Sequence, residues 1–241
     1  MKKRQVELLA QADLLLLVVD LLRPPEKIRQ PLALLKKIDV KNLVTATGIK
    51  EKRAINRHLN AAIELTRRMA EEEWSGCYRR LFDGTIACPI NEATYIRRDK
   101  GAIIGDICGF YRAFGWSPVK ETGERPDHLV VELEFVAMLL VMASRAETKT
   151  QRELTSSALA DFTRSHLSEW VGLFCKQLCS SADDPLYVAV STLLASVWHS
   201  LIDFHDWTVD PSTSCTIGIC DEPEDPYDCG APDLVTLNAK K

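Results

Sequence analysis

The triplet Pro126-Asp127-His128 places a carboxylate and an imidazole at the threshold of the apolar run Leu129 to Ala143. Pro126 fits the first position of a helix, where its missing N–H costs nothing. Asp127 then falls in the first turn, where unpaired N–H groups and the positive end of the helix dipole favour a negative charge. A cap and a receptor for a cationic ligand are compatible roles for it. His128 has no evident packing reason, and an imidazole beside a helix N-terminus tends to stay neutral, able to donate and to accept. With Glu132 and Glu134 close by, an acid/base or metal-binding enzyme is one reading. Adjacent helical residues point about 100° apart, however, so Asp127 and His128 converge poorly on one ion. HExxH, a nucleophile elbow and EF-hand spacing are absent from the sequence. The expectation is a binding site and not an enzyme.

Eight cysteines offer a second chemistry, but no two are spaced as CxxC. Cys175 and Cys179 lie one helical turn apart and suit a buried hydrophobic face as well as a metal. Cys215, Cys220 and Cys229 are three ligands without a fourth, or exposed thiols. A metal- or iron–sulfur-handling protein is therefore the alternative class, and no cofactor is otherwise expected. In "CPINEATY", Cys88, Pro89, Glu92 and Tyr95 read as architecture: Pro89 fixes the loop, Tyr95 anchors it and Glu92 satisfies a buried donor. Gly105 and Gly109 suggest close helix packing, since neither the GxxxxGK[ST] pattern nor a preceding strand is present for a phosphate loop.

The elements that must carry these residues are helical. Ile55, Leu59, Ala62 and Met69 mark one face of Glu51 to Trp74. Leu167, Trp170, Phe174 and Leu178 form another stripe, and Tyr187, Val190, Leu194, Val197, Leu201 and Phe204 recur in steps of three and four. Val40 to Thr47 is the one stretch that reads as a candidate strand. "RPPEK" stops the first helix, because consecutive prolines remove backbone donors. The loops are Asp83 to Glu92 and Gly115 to Pro126. The expected fold is all-α, a single-domain helical bundle over residues 1–206, followed by an irregular acidic tail, 207–241.

Charge narrows the partners. The net charge is −4, with nine Asp and Glu residues and no Lys or Arg between Leu201 and Ala239. No basic stripe interleaved with aromatics exists, so no nucleic acid is expected. The first helix pairs basic residues with the apolar run Leu14 to Val19, yet Glu7, Asp13 and Asp20 interrupt it and no cleavage site follows. It reads as an amphipathic helix, and with no run of about 18 apolar residues, stable membrane insertion is not expected.

Five motifs in order, "YRRLF" (Tyr78 to Phe82), "CPINEATY", "GDICGFYRAFGW", "GERPDHLVVELEF" and "DFTRSHLSEWVGLF", make the chain from about Gln5 to His205 resemble the TorD/DmsD/NarJ family of redox-enzyme maturation chaperones. The resemblance implies an all-helical, cytoplasmic, system-specific chaperone. Such a protein binds the twin-arginine signal peptide and the apo form of a molybdenum-cofactor oxidoreductase, and delays export until the cofactor is in place. It also implies that Tyr78, Leu81, Phe82, Pro126, Asp127 and His128 take part in leader binding, with Tyr78 where some members carry Trp. Glu124 joins them on chemical grounds, as a second carboxylate for the paired guanidinium groups. Tyr78, Leu81 and Phe82 suit an apolar groove wall or ordinary core, and Arg125 would repel the ligand unless an acid neutralises it. The oligomeric state stays open between monomer and homodimer. The acidic tail lies outside the resemblance.

Overall fold

The computed structural model describes residues 2–28, 38–83, 86–117 and 124–207. These residues form nine α-helices: α1 Lys3–Leu21, α2 Val40–Ala46, α3 Lys52–Arg68, α4 Glu71–Phe82, α5 Lys100–Ala113, α6 Leu129–Arg145, α7 Lys149–Phe162, α8 Val171–Ser181 and α9 Pro185–His205. No strand is present among the described residues, whose β pairing is limited to isolated bridges such as Asn91 to His128. The all-α expectation holds.

Two helices that are apolar on most faces form the centre. α1 lies along α6, burying Leu14, Leu15, Val18 and Val19 against a helix whose Leu129, Val130, Leu133, Phe135, Val136, Leu139 and Leu140 are wholly inaccessible. Amphipathic helices surround this pair, each turning one stripe inward. α9 packs on α3 and α8, and α7 on α6. By length and composition α9 could cross a bilayer. Its Leu186, Tyr187, Val190, Leu193, Leu194, Val197 and Leu201 are instead buried in the core.

Local chemistry sets the boundaries. Pro24 and Pro25 follow α1 and open a single 3-10 turn, Pro25–Lys27. Asp184 caps α9 by accepting from the Tyr187 N–H, with Pro185 at the first position, and Asp206 ends the helix in the left-handed conformation at φ 57°. Thr148 and Gln151 form a reciprocal capping box on α7. α7 runs into a π-helical turn, Thr163–Leu167, which turns His166 inward ahead of the buried Trp170.

Three expectations about the helices need correction. Val40 to Thr47 is helical: the Asp39 side chain accepts from the Asn42 N–H, and Val40 and Val44, one turn apart, share the buried face. Glu51 to Trp74 is two helices, since Met69 and Ala70 are extended and Glu71 to Glu73 open α4 with carboxylates at its positive end. Gly105 and Gly109 are exposed, with open space where a Cβ would stand, so no helix among the described residues packs there. Trp207, assigned from sequence to the tail, is 2% exposed and stacks on His205 at a ring separation of 4.3 Å. The rest of the tail lies outside the described residues.

Candidate functional site

Two of the motifs meet at one point. The Asn91 to His128 bridge is closed by the Glu92 N–H donating to Asp127 O at 2.9 Å and the Leu129 N–H donating to Ile90 O at 3.0 Å. Tyr95 Oη donates to Pro89 O at 2.7 Å, and Tyr111 Oη to Pro126 O at 2.9 Å, so both loops are anchored by buried phenols. The anchoring role expected of Tyr95 is thus met.

Asp127 is not in the first turn of a helix, because α6 begins at Leu129. Its carboxylate is inaccessible and ties the loops together. Oδ2 accepts from the Ala93 N–H and Oδ1 from Asn91 Nδ2, each at 3.3 Å. Arg125 completes the set with a two-point pairing, Nε to Oδ1 at 2.9 Å and Nη2 to Oδ2 at 3.0 Å, while its side chain stays 52% exposed. The guanidinium position on Asp127 is therefore filled from within the chain. Pro126 lies in the turn before α6, outside the helix, and its carbonyl is engaged by Tyr111.

His128 does have a structural task. It is the N-cap of α6, with Nδ1 accepting from the Val130 N–H at 3.3 Å. Burial, then the charges of Arg23 and Lys27, push its pKa down to about 3. The ring is neutral at physiological pH, as expected, with its proton on Nε2 because Nδ1 must accept.

Arg23 is the hub of a polar cluster, the Arg23 mouth, that sequence reading missed. Its side chain is 6% exposed at the end of α1, where a cation complements the helix dipole. Nη1 lies 3.1 Å from Glu134 Oε1, and Nη2 lies 3.7 Å from Glu124 Oε2, too far for a hydrogen bond. Burial, reinforced by Glu134 and opposed by Arg23 and Lys27, raises the Glu124 pKa. Tyr78 borders the same mouth: burial, with the charges of Asp83, Glu124 and Glu26, pushes its phenol up to about 12. Glu26 accepts from Ser75 Oγ at 3.0 Å, which links the Pro25–Lys27 turn to α4. The mouth thus gathers Glu26, Asp83, Glu124 and Glu134 around Arg23 and Lys27, with acidic groups in excess. An arginine at the end of an apolar helix, immediately before two prolines, was the available signal.

Leu81 and Phe82 are core residues, 3% and 6% exposed. Phe82 stacks on Phe174 at a ring separation of 6.4 Å, meets Tyr187 edge-on at 5.5 Å and Tyr78 at a tilt at 5.0 Å; of the apolar members of "YRRLF", Tyr78 alone is only partly buried. Leu81 also lines a cleft of about 380 Å³ with Arg80, Asp83, Asp183 and Asp184.

Beneath the loops runs a chain of acids. The Glu92 carboxylate receives His166 Nδ1 at 3.0 Å and Arg98 Nη2 at 3.3 Å, in keeping with the donor-satisfying role expected of it. His166 Nε2 faces Asp106 Oδ2 at 3.3 Å, within ion-pair reach but off the line of a hydrogen bond. Glu132 is wholly buried with neither carboxyl oxygen hydrogen-bonded, and burial, then the charges of Glu92 and Asp127, raise its pKa well above the carboxylate range. Among the described residues no three His, Cys, Asp or Glu side chains are arranged to hold a metal ion. Cys215, Cys220 and Cys229 lie outside the described residues.

Comparison with known proteins agrees with this architecture. Residues 45–176 match the family model described as nitrate reductase delta subunit. The chain is 26% identical over 159 residues to the chaperone protein TorD of Vibrio cholerae serotype O1 (strain M66-2), covering 61% of this chain and 71% of that one. It is 30% identical over 116 residues to the chlorate reductase assembly chaperone protein of Ideonella dechloratans (47% and 60%). It is also 30% identical over 99 residues to the selenate reductase assembly chaperone protein of Thauera selenatis (41% and 50%). With the family model spanning more than half of an all-helical chain, the chain belongs to the nitrate reductase delta subunit family, the TorD/NarJ group of assembly chaperones, and is not an enzyme.

Proposed function

We propose that this chaperone serves one reductase system in the cytoplasm, as a monomer or homodimer. It binds the twin-arginine leader and the apo form of a molybdenum-cofactor catalytic subunit until that cofactor is inserted. The relatives named for chlorate and selenate reductases support a reductase client.

The observation that carries the leader site is the state of Glu124. Its side chain is 10% exposed, and its Oε2 lacks a hydrogen bond and stands 3.7 Å from the only guanidinium it faces among the described residues. A largely buried carboxylate with one oxygen lacking a hydrogen bond gains from a second guanidinium, which offers two parallel donors. The leader's first arginine takes this position, beside the neutral Tyr78 phenol, which supplies an apolar ring face and a donor at its tip. The second arginine competes with Arg125 for Asp127. Arg125 is half exposed and can swing into water, so one guanidinium replaces another without leaving the buried carboxylate bare. Pro126 and His128 hold the loop on α6, and Leu81 and Phe82 support Tyr78 from below.

Isothermal titration of the chain with a synthetic twin-arginine leader and with its twin-lysine counterpart tests this. Lysine keeps the charge and loses the planar fork, so the arginine leader binds at least about tenfold more tightly, the equivalent of about 1.4 kcal/mol. Equal affinity of the two peptides would remove the carboxylate-fork site.

A further inference from the structure

At the end of α1 remote from Arg23, about 28 Å along the helix, the molecule carries a second recess of opposite charge. A cleft of about 920 Å³ is lined there by Lys2, Arg4, Arg145 and Arg152, with Glu147 as its one carboxylate. A smaller cleft of about 300 Å³ shares Arg4, Leu8, Ala143 and Arg152 with it, so the two form one depression. Cations here are sorted by position. Lys3 and Lys149, which do not line the cleft, are paired with Glu7 and Glu153 at 3.8 and 3.5 Å. Among the described residues none of the four that line it has a carboxylate partner. Arg4 lies over the Phe204 ring at 4.6 Å, Arg152 donates to the carbonyls of Ala146 and Glu147, and the Lys2 and Arg145 side chains are exposed and unpaired. Four such cations facing one recess sum to a positive potential that attracts an anionic ligand.

We propose that this depression receives an acidic polypeptide segment of a partner protein. The cations come from α1, α6 and α7, so they stand around the recess and suit several carboxylates spaced along a chain better than a single small ion. Each arginine offers a carboxylate two parallel donors, a pairing that Arg4 and Arg152 lack among the described residues. The apolar part of the lining, Leu8, Leu9 and Ala143, suits the methylene stems of glutamate side chains. A nucleic acid fits poorly, because the aromatic rings beside the recess are already engaged: Phe204 lies under Arg4, and His205 and Trp207 stack on one another at 4.3 Å. A flat bilayer would touch the rim of a concave surface and leave its interior unfilled. The twin-arginine leader is cationic at its front and is repelled here. The two ends of α1 thus favour polypeptide segments of opposite charge, and the inference at this end does not depend on the leader site at the other.

The test titrates the full chain into fluorescein-labelled octaglutamate at low salt and follows fluorescence anisotropy. The unaltered chain binds the peptide, and about 0.5 M NaCl abolishes the binding because the cations are solvent-exposed. R4Q/R152Q weakens binding at least about tenfold, whereas K3Q/K149Q, which removes the same charge from the flanking pairs, changes it by less than about twofold. K2Q/R145Q alters only exposed, unpaired side chains, weakens binding by about threefold or more, and carries the test should R4Q/R152Q fail to fold by circular dichroism. No binding by the unaltered chain would overturn the proposal. Equal losses in R4Q/R152Q and K3Q/K149Q would do so too, since net charge alone would then explain the affinity. Loss of twin-arginine leader affinity in folded R4Q/R152Q would give the recess to the leader and contradict the proposal. Binding of phosphatidylglycerol vesicles or of inorganic phosphate that depends on Arg4 and Arg152, with no binding of octaglutamate, would make the recess a membrane or small-anion site and overturn it equally.

Discussion

Arg125 clasps Asp127 through both of its oxygens, at 2.9 and 3.0 Å, only two residues away along the chain. The clasp places an internal guanidinium on the carboxylate that the leader's arginine is proposed to engage. Removing the clasp therefore frees the position without disturbing Asp127's bonds to Asn91 and Ala93. Arg125→Gln raises affinity for the twin-arginine leader by about 3- to 10-fold in titration calorimetry. Asp127→Asn lowers it and also destabilises the fold, because the loop-to-loop bonds weaken. Unaltered affinity in folded Arg125→Gln would show that Arg125 does not compete for the site.

His128 couples the cap of α6 to pH. Its folded pKa of about 3 lies below the unfolded value near 6.5, so between these values the unfolded chain binds more protons than the folded one. The stability contributed by the neutral ring is full above about pH 6.5 and is lost as pH falls toward 3. His205, also held down to about 3 chiefly by burial, adds in the same direction. His128→Asn retains a capping acceptor and flattens the acid limb of a pH-dependent urea series. His128→Ala flattens it too, but costs about 1 kcal/mol at pH 7 through the lost cap.

Glu132 acts with the opposite sign. As an acid whose folded pKa is raised, it binds a proton in the fold that the unfolded chain has released above about pH 4.5. Its contribution weakens as pH rises from there toward the folded pKa. Glu132→Leu, close in volume and with no polar atom to desolvate, raises the melting temperature at pH 8 by more than at pH 5. Each kcal/mol gained corresponds to about 2–4 °C for a domain of this size. A lower melting temperature at pH 8 would mean that the carboxyl has a partner that stabilises it.

Tyr78 and Phe82 separate binding from stability. Phe82, against Tyr78, Tyr187 and Phe174, loses about 3–5 kcal/mol on truncation to alanine. Tyr78, partly buried at the mouth, costs much less to truncate but lowers leader affinity. Denaturant midpoints and calorimetric affinities measured on both variants decide the assignment.

The long apolar periodicities were legible from sequence because burial alone enforces them: the Tyr187 to Leu201 stripe and the Leu167 to Leu178 stripe are inaccessible throughout except at intervening positions. Val40 to Thr47 misled because eight residues, four of them β-branched, carry little period, and the deciding bond, from the Asn42 N–H to the Asp39 side chain, is a cap. Asp127 was legible as important but not in its task, since its partners Asn91 and Ala93 come from a loop more than thirty residues away. His128 was misjudged because histidine is outside the usual N-cap set, and only its buried, neutral state makes the ring an acceptor. The Arg23 mouth needed tertiary structure: nothing in the spacing of Arg23, Glu124 and Glu134 announces that they meet.

The most direct measurement is leader affinity in Glu124→Gln, read by isothermal titration against the unaltered chain, with matched melting temperatures as the folding control. Loss of a charge-assisted guanidinium pair of about 1.5–3 kcal/mol weakens twin-arginine leader binding by about 10- to 100-fold, and leaves the twin-lysine peptide much less affected. If Glu124→Gln binds the arginine leader as tightly as the unaltered chain, the mouth around Arg23 is not where the leader is held.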